Sequence, residues 1–122
     1  MKIAAVVAND GDTIVPLPDG PEVIIYDSET DRVERFENPA RKVETKRRAT
    51  VVAFLAEKGV ELICSVPQSL CSFSQGQAQE KGLRFLRLAA ETRFSKVTAE
   101  PEQYQRQAVT ELPAMDLYIP PQ

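Results

Sequence analysis

The chain opens with an unbroken apolar run, Ile3 to Ala8, that stops at Asn9-Asp10-Gly11-Asp12. A short continuous apolar run closed by turn residues reads as a buried strand, because it leaves no polar face for water. The run ends too early for a signal peptide, and no small-residue cleavage site follows it. No apolar stretch approaches the roughly 18 residues that a membrane span requires. The expectation is a cytoplasmic chain with no membrane attachment.

Residues 9–21 hold Asn9, Asp10, Gly11, Asp12, Pro16, Pro18, Asp19, Gly20 and Pro21, which is loop chemistry. Val23-Ile24-Ile25-Tyr26 predicts a second strand and Arg32–Glu37 a third, joined by a tight turn at Ser28–Asp31. So short a connection makes the two an antiparallel hairpin. The third strand carries four charges in six residues, as suits a solvent-facing edge.

Beyond Asn38-Pro39 the periodicity changes. A first helix starts within Arg41–Arg48 and runs to Lys58. Val52, Leu55 and Ala56 repeat at helical spacing, Val51 and Phe54 widen the apolar face, and Gly59 stops the helix. Glu61–Val66 reads as the fourth strand, Ser72–Lys81 as a second helix ended by Gly82, and Leu83–Leu88 as the fifth strand. Thr98 reads as the cap of a third helix with Pro101 in its first turn, so that Tyr104, Ala108 and Leu112 share a face. The tail from Leu112 is punctuated by prolines yet carries Met115, Leu117, Tyr118 and Ile119, and is expected to lie on the body. Strand–helix–strand successions give parallel strands with right-handed crossovers. The α/β fold expected is therefore a five-stranded mixed sheet. Strands one, four and five are parallel, hairpin 22–37 is antiparallel to strand one, and about three helices cover the sheet. At 122 residues and 43 % apolar content the chain suits one domain, 1–122, with 113–122 as a C-terminal tail.

Composition removes whole classes of chemistry. There is no histidine, so Ser-His-Asp and Cys-His catalysis, His-ligated zinc and imidazole switches are excluded. There are two cysteines, Cys64 and Cys71, so no four-thiolate site fits within one chain. A net charge of −3 argues against a general nucleic-acid partner. No nucleophile–base pair emerges from the motifs, and a non-enzymatic protein is expected.

Several phrases carry a family resemblance. These are Met1–Ala4 through Asn9-Asp10-Gly11, Ile25-Tyr26-Asp27, and Arg32-Val33-Glu34 through Glu37-Asn38-Pro39-Ala40. Phe54-Leu55-Ala56-Glu57-Lys58-Gly59-Val60 and Glu80-Lys81-Gly82-Leu83 add to them. With the order of elements over about residues 1–110, they resemble the dinitrogenase iron–molybdenum cofactor biosynthesis family, small ribonuclease-H-like domains. The resemblance implies a three-layer fold and a nitrogen-fixation-related role. It implies binding or carriage of a metallocluster precursor of iron–sulfur or iron–molybdenum type, and a protein partner from a cofactor-assembly pathway. Where that family commonly has His-Phe-Gly, this chain reads Val15–Pro21. Where the family has Gly-rich turns, the chain reads Glu44–Arg48 and Ser65-Val66-Pro67-Gln68-Ser69. A diverged protein-interaction module that keeps the fold is the alternative those departures leave, as a monomer or a homodimer.

The candidate site residues follow. Cys64 and Cys71 flank the carboxyl end of the fourth strand, where open α/β sheets hold ligands, and thiolates are soft metal ligands. Cys71 at a helix start gains thiolate character, whereas Cys64 also reads as a small buried strand residue. Asn9, Asp10 and Asp12 either offer oxygens to a hard cation or form an Asx turn with Gly11 at positive φ. Arg41, Lys42, Lys46, Arg47 and Arg48 give residues 41–48 a local charge of +4. That run is either an anion site at the helix start or a solvated charge run. The ligand-binding candidates are thus Asn9, Asp10, Gly11, Arg47, Arg48 and Ser65, and the metal candidates are Cys64 and Cys71.

Overall fold

A computed structural model describes residues 1–120. It contains β1 (Lys2–Val7), β2 (Ile14–Val15), β3 (Glu22–Asp27), β4 (Arg32–Glu37), α1 (Arg47–Glu57) and β5 (Leu62–Ser65). Then come α2 (Ser72–Glu80), β6 (Arg84–Arg87), α3 (Phe94–Ala99) and α4 (Pro101–Arg106), with 3₁₀ turns at Pro39–Lys42 and Ala114–Asp116. The sheet runs β4-β3-β1-β5-β6, with β2 on β1. The hairpin β3–β4 is antiparallel throughout, β3 is antiparallel to β1, and β1, β5 and β6 are parallel, as the sequence leads one to expect.

One strand was not expected. Ile14-Val15 sits within the Pro- and Asp-rich loop, yet it pairs antiparallel with Val6 and Val7. β5 pairs only with Ile3 and Ala4, so the far half of that edge of β1 would otherwise lack partners. β2 supplies them, and the sheet has six strands rather than five.

β1 is buried on both sides. By the two-residue period of a strand, Ala4 and Val6 join one apolar cluster with Val51, Val52 and Leu55 of α1 and Ala78 of α2. Ile3, Ala5 and Val7 join the opposite cluster with Phe94 and Val97 of α3 and Tyr104 of α4. Helices therefore cover both faces. β4 lies at the edge with most of its residues exposed, in keeping with its charges.

The third helix differs from expectation. Thr98 lies inside α3, and the chain breaks at Glu100 before Pro101 opens α4. The residue before proline is driven from helical geometry, and Glu100 takes φ −139° and ψ 58°. The helix is thereby split in two, giving four α-helices among the described residues. Tyr104, Ala108 and Leu112 do not share a face either. Past α4 the chain exchanges two backbone hydrogen bonds between Val109 and Phe85 at the β6 edge. Leu112 then packs in the α1–α2 cluster, while Tyr104 and Ala108 stay in the other.

The tail lies on the body as expected as far as Pro120; residues 121 and 122 fall outside the described residues. Tyr118 N–H donates to the Leu70 carbonyl, and Gln68 N–H donates to that of Asp116. Arg87 Nε sits 2.6 Å from Asp116 Oδ2. Among the described residues no helix is long and apolar enough to cross a membrane.

Two substitutions probe this packing. Leu55 is fully buried, so Leu55→Ala should lower stability by about 2–5 kcal/mol in a urea titration. At Gly20 an added Cβ would collide with the Val7 carbonyl oxygen and stand 2.8 Å from a Val15 methyl. Gly20→Ala must therefore push the loop off β1, and a lowered urea midpoint is the expected result.

Candidate functional site

The carboxyl end of β5 and the N-terminal ends of α1 and α2 meet on one face. Three consecutive cations, Lys46, Arg47 and Arg48, enter α1. They line a cavity of about 280 Å³ together with Cys71, Phe73 and Tyr118. A neighbouring cavity of about 400 Å³ shares the same three cations and Tyr118 and is bounded by Asp19, Glu44 and Gln68.

Placing cations there works against the helix. The first turn exposes unpaired N–H groups and the positive end of the helix dipole, so each cation costs a few tenths of a kcal/mol. No side chain caps α1, and Lys46 itself is left-handed at φ 53°. Backbone strain of this kind persists where surrounding contacts hold it and gathers at functional sites. Arg47 is held by its bonds to the Ala40 and Pro18 carbonyls at 3.0 and 3.1 Å. Arg48 donates to the Gln68 carbonyl at 2.9 Å and lies 3.8 Å from the centre of the Tyr118 ring. Gln68 is left-handed too, at φ 72°. The guanidinium groups are fixed in direction, and carbonyls and an aromatic face, rather than carboxylates, do the fixing.

Cys71 is the N-cap of α2. Its backbone N–H donates to Ser74 Oγ at 2.9 Å, and the Ser74 amide donates back to Sγ at 3.5 Å. Partial burial raises the thiol pKa. Hydrogen bonds from the Ser74 hydroxyl and from the Ser74 and Phe73 amides, with the Arg48 charge, more than reverse that effect. The net result lies below the ordinary thiol value, which eases formation of the Cys71 thiolate. Cys64 is the opposite case. It is 1 % exposed within the α3–α4-side cluster, and burial pushes its thiol far up. The two cysteines are not brought together into one cavity.

The other candidates are dispersed. Asn9 lines a separate cavity of about 380 Å³ with Phe36 and Arg41. Asp10 accepts the amides of Asp12 and Thr13 and the Thr13 hydroxyl, which lowers its pKa to about 2, and Gly11 turns at φ 74°. The Asx-turn alternative is the one observed. Asp12 accepts from the Ser95 amide and hydroxyl, both at 2.8 Å, and tethers α3. Among the described residues no three His, Cys, Asp or Glu side chains stand close enough to hold a metal ion. Arg41 and Lys42 belong to the 3₁₀ turn, so the basic run splits and only its last three members reach α1. Ser65 is 1 % exposed, and its buried Oγ has no partner among the described residues.

Sequence reasoning passed over Tyr118 and Phe73 as site residues. The signal for Tyr118 was the apolar content of a tail otherwise written in prolines.

No family model matches the sequence, and no curated protein matches it. Solved structures do. The apo form of the orange protein from Desulfovibrio gigas superposes with a TM-score of 0.70 over 88 % of this chain and 90 % of that one, at 13 % identity. A NifB-related protein from Thermotoga gives 0.60 over 92 % and 96 %, at 21 % identity. At such identities the likeness establishes a shared fold.

Two solution measurements bear on the site. Iodoacetamide should label Cys71 in the folded protein and Cys64 only after unfolding, and Arg48→Ala should raise the pH midpoint of the Cys71 reaction. Asp10 is depressed on folding, so its stabilisation is complete above the unfolded value near 3.8 and is lost as pH falls towards about 2. Asp10→Asn should flatten the stability profile across that window.

Proposed function

We propose that this chain is a non-enzymatic cytoplasmic carrier with a ribonuclease-H-like fold, whose cargo is an anionic metallocluster precursor of iron–sulfur or iron–molybdenum type. The observation that carries this reading is the cavity where Lys46, Arg47 and Arg48 meet the Cys71 thiol at the ends of two helices. Two guanidiniums fixed by carbonyls and a ring, beside Lys46 and with Asp19 and Glu44 only on the adjoining cavity, suit a multiply charged anion, and one thiol with a lowered pKa suits a soft metal. Its structural neighbours support it: one is described in an apo form, the state of a protein that takes a bound group, and the other is NifB-related.

The donor set narrows the cargo. One accessible thiolate and no histidine cannot supply the four protein ligands of a bare iron cluster. The cavity fits an anion that arrives with its own sulfides and needs the protein for charge balance and a single anchoring bond. Cys71 would supply that bond, and the three cations would offset the charge.

The test is anaerobic titration with a thiomolybdate anion and with a preassembled iron–sulfur–molybdenum precursor, followed by absorption and metal counting. Wild type and Cys64→Ser should bind alike. Cys71→Ser should bind roughly tenfold more weakly or worse, and Arg48→Glu should lose binding. Equal binding by all four proteins would remove this cavity from the site. No binding by wild type would leave the protein-interaction module as the reading.

A further inference from the structure

Four large apolar side chains stand exposed among the described residues, and two of them, Phe73 and Ile119, line one groove. Phe73 is 63 % exposed, and Met115 and Ile119 are each 78 % exposed. Phe73 opens α2, and the other two belong to the tail segment that crosses beside it. Phe73 and Ile119 line an apolar groove of about 350 Å³ together with Leu117 and Tyr118. Cys71, Phe73, Tyr118 and Pro120 also line the cation cavity, so the two hollows adjoin.

The charges around the groove are one-sided. Lys46 Nζ lies 6.0 Å from the Phe73 ring centre, and Arg48 stacks on Tyr118. No Asp or Glu lines either apolar hollow. The nearest acids are Asp116, paired with Arg87, and Asp19 and Glu44 in the adjoining cavity. Clustered exposed apolar side chains mark an interaction surface. Cations along one rim, on a chain whose net charge is −3, specify the sign of what lands there.

We infer that the Phe73–Ile119 groove is a docking site for a short acidic-hydrophobic segment of a partner protein, apolar side chains in the groove and carboxylates against Lys46, Arg47 and Arg48. A concave slot of this volume suits one or two inserted side chains, whereas a bilayer would meet a convex patch. The net negative charge also repels an anionic membrane or a nucleic acid, while a short segment meets only the local cations. Because Cys71 lines both hollows, a docked segment would stand beside whatever Cys71 holds. Docking itself does not depend on the carrier reading.

The test is selection of short peptides from a random display library on the full-length chain, followed by fluorescence anisotropy of synthesised winners. The winners should combine Leu, Ile or aromatic residues with Asp or Glu. Their affinity should fall by roughly tenfold or more in Phe73→Asp and in Lys46→Glu, and by a similar factor when their carboxylates are changed to amides. Both altered residues are exposed, and circular dichroism would confirm that the variants fold. Failure to enrich any peptide, winners without carboxylates, or binding that survives both substitutions would each overturn the assignment. So would phosphatidylserine vesicles binding the chain through Phe73, or concentration-dependent self-association abolished by Phe73→Asp. Anion titration of the same two variants is a separate measurement, so losing the groove and losing the carrier reading are distinguishable.

Discussion

Everything else in the fold is arranged around β1 having no contact with water beyond its first residue. Ile3 through Val7 are fully buried, which requires apolar cover on two faces and hydrogen-bond partners along two edges. The hairpin satisfies one edge over its whole length. The other is shared between β5 and the two-residue β2. The faces demand α1 and α2 on one side, α3 and α4 on the other. Burial of Asn38 follows from the same demand. Its side chain donates to the Leu17 and Gly20 carbonyls at 2.9 and 2.8 Å and accepts the Ala40 amide, so loop 16–21 is pinned beside the start of β3. Pro18 in that loop then supplies a carbonyl to Arg47. A core requirement thereby fixes one of the site cations.

The cation cavity is a second place where local preferences are overridden. A helix start favours carboxylates and hydroxyls, and α2 follows the rule with its Cys71–Ser74 capping pair. α1 does not follow it. Three cations, the first of them a left-handed lysine at the cap position, occupy its entrance and first turn. Arg47 and Arg48 are held by backbone carbonyls and a tyrosine ring rather than by ion pairs, and Asp19 and Glu44 stand only on the adjoining cavity. The guanidinium charge is then available to an anion.

Much of the fold was legible because its signals were local. The apolar run at Ile3–Ala8, the Ser28–Asp31 turn and the stops at Gly59 and Gly82 each speak for themselves. Features decided by distant partners were not legible. β2 exists because β5 leaves half of an edge unfilled, and no propensity within a Pro- and Asp-rich loop announces that. Thr98 was a plausible cap by type, but the constraint at Pro101 acts on Glu100 and moved the boundary. The site divides in the same way. Lys46–Arg48 could be read as a charge cluster, and Cys71 as a helix start. That Cys64 faces the opposite layer depends on strand register, and a single-residue slip would reverse it. Tyr118 stands far along the chain from Arg48 and came into the site only through tertiary contact.

That contact also ties the two hollows together. Arg48 divides its guanidinium between the Gln68 carbonyl and the face of Tyr118, while Tyr118 N–H is anchored to Leu70 and Asp116 to Arg87. The tail is thus fastened at several points, and one of them is a residue whose charge an incoming anion would also attract. A cation–π contact is worth about 0.5–2 kcal/mol, whereas a charge-assisted bond to an anion in a partly dry cavity is comparable or stronger. The balance at Arg48 is therefore close. Its occupancy by an anion bears directly on how firmly Tyr118 and the neighbouring Ile119 line the apolar groove. On the two readings proposed above, an acidic docked segment and an anionic cargo would both draw on the Arg48 guanidinium, and the two occupants would be coupled through a single side chain.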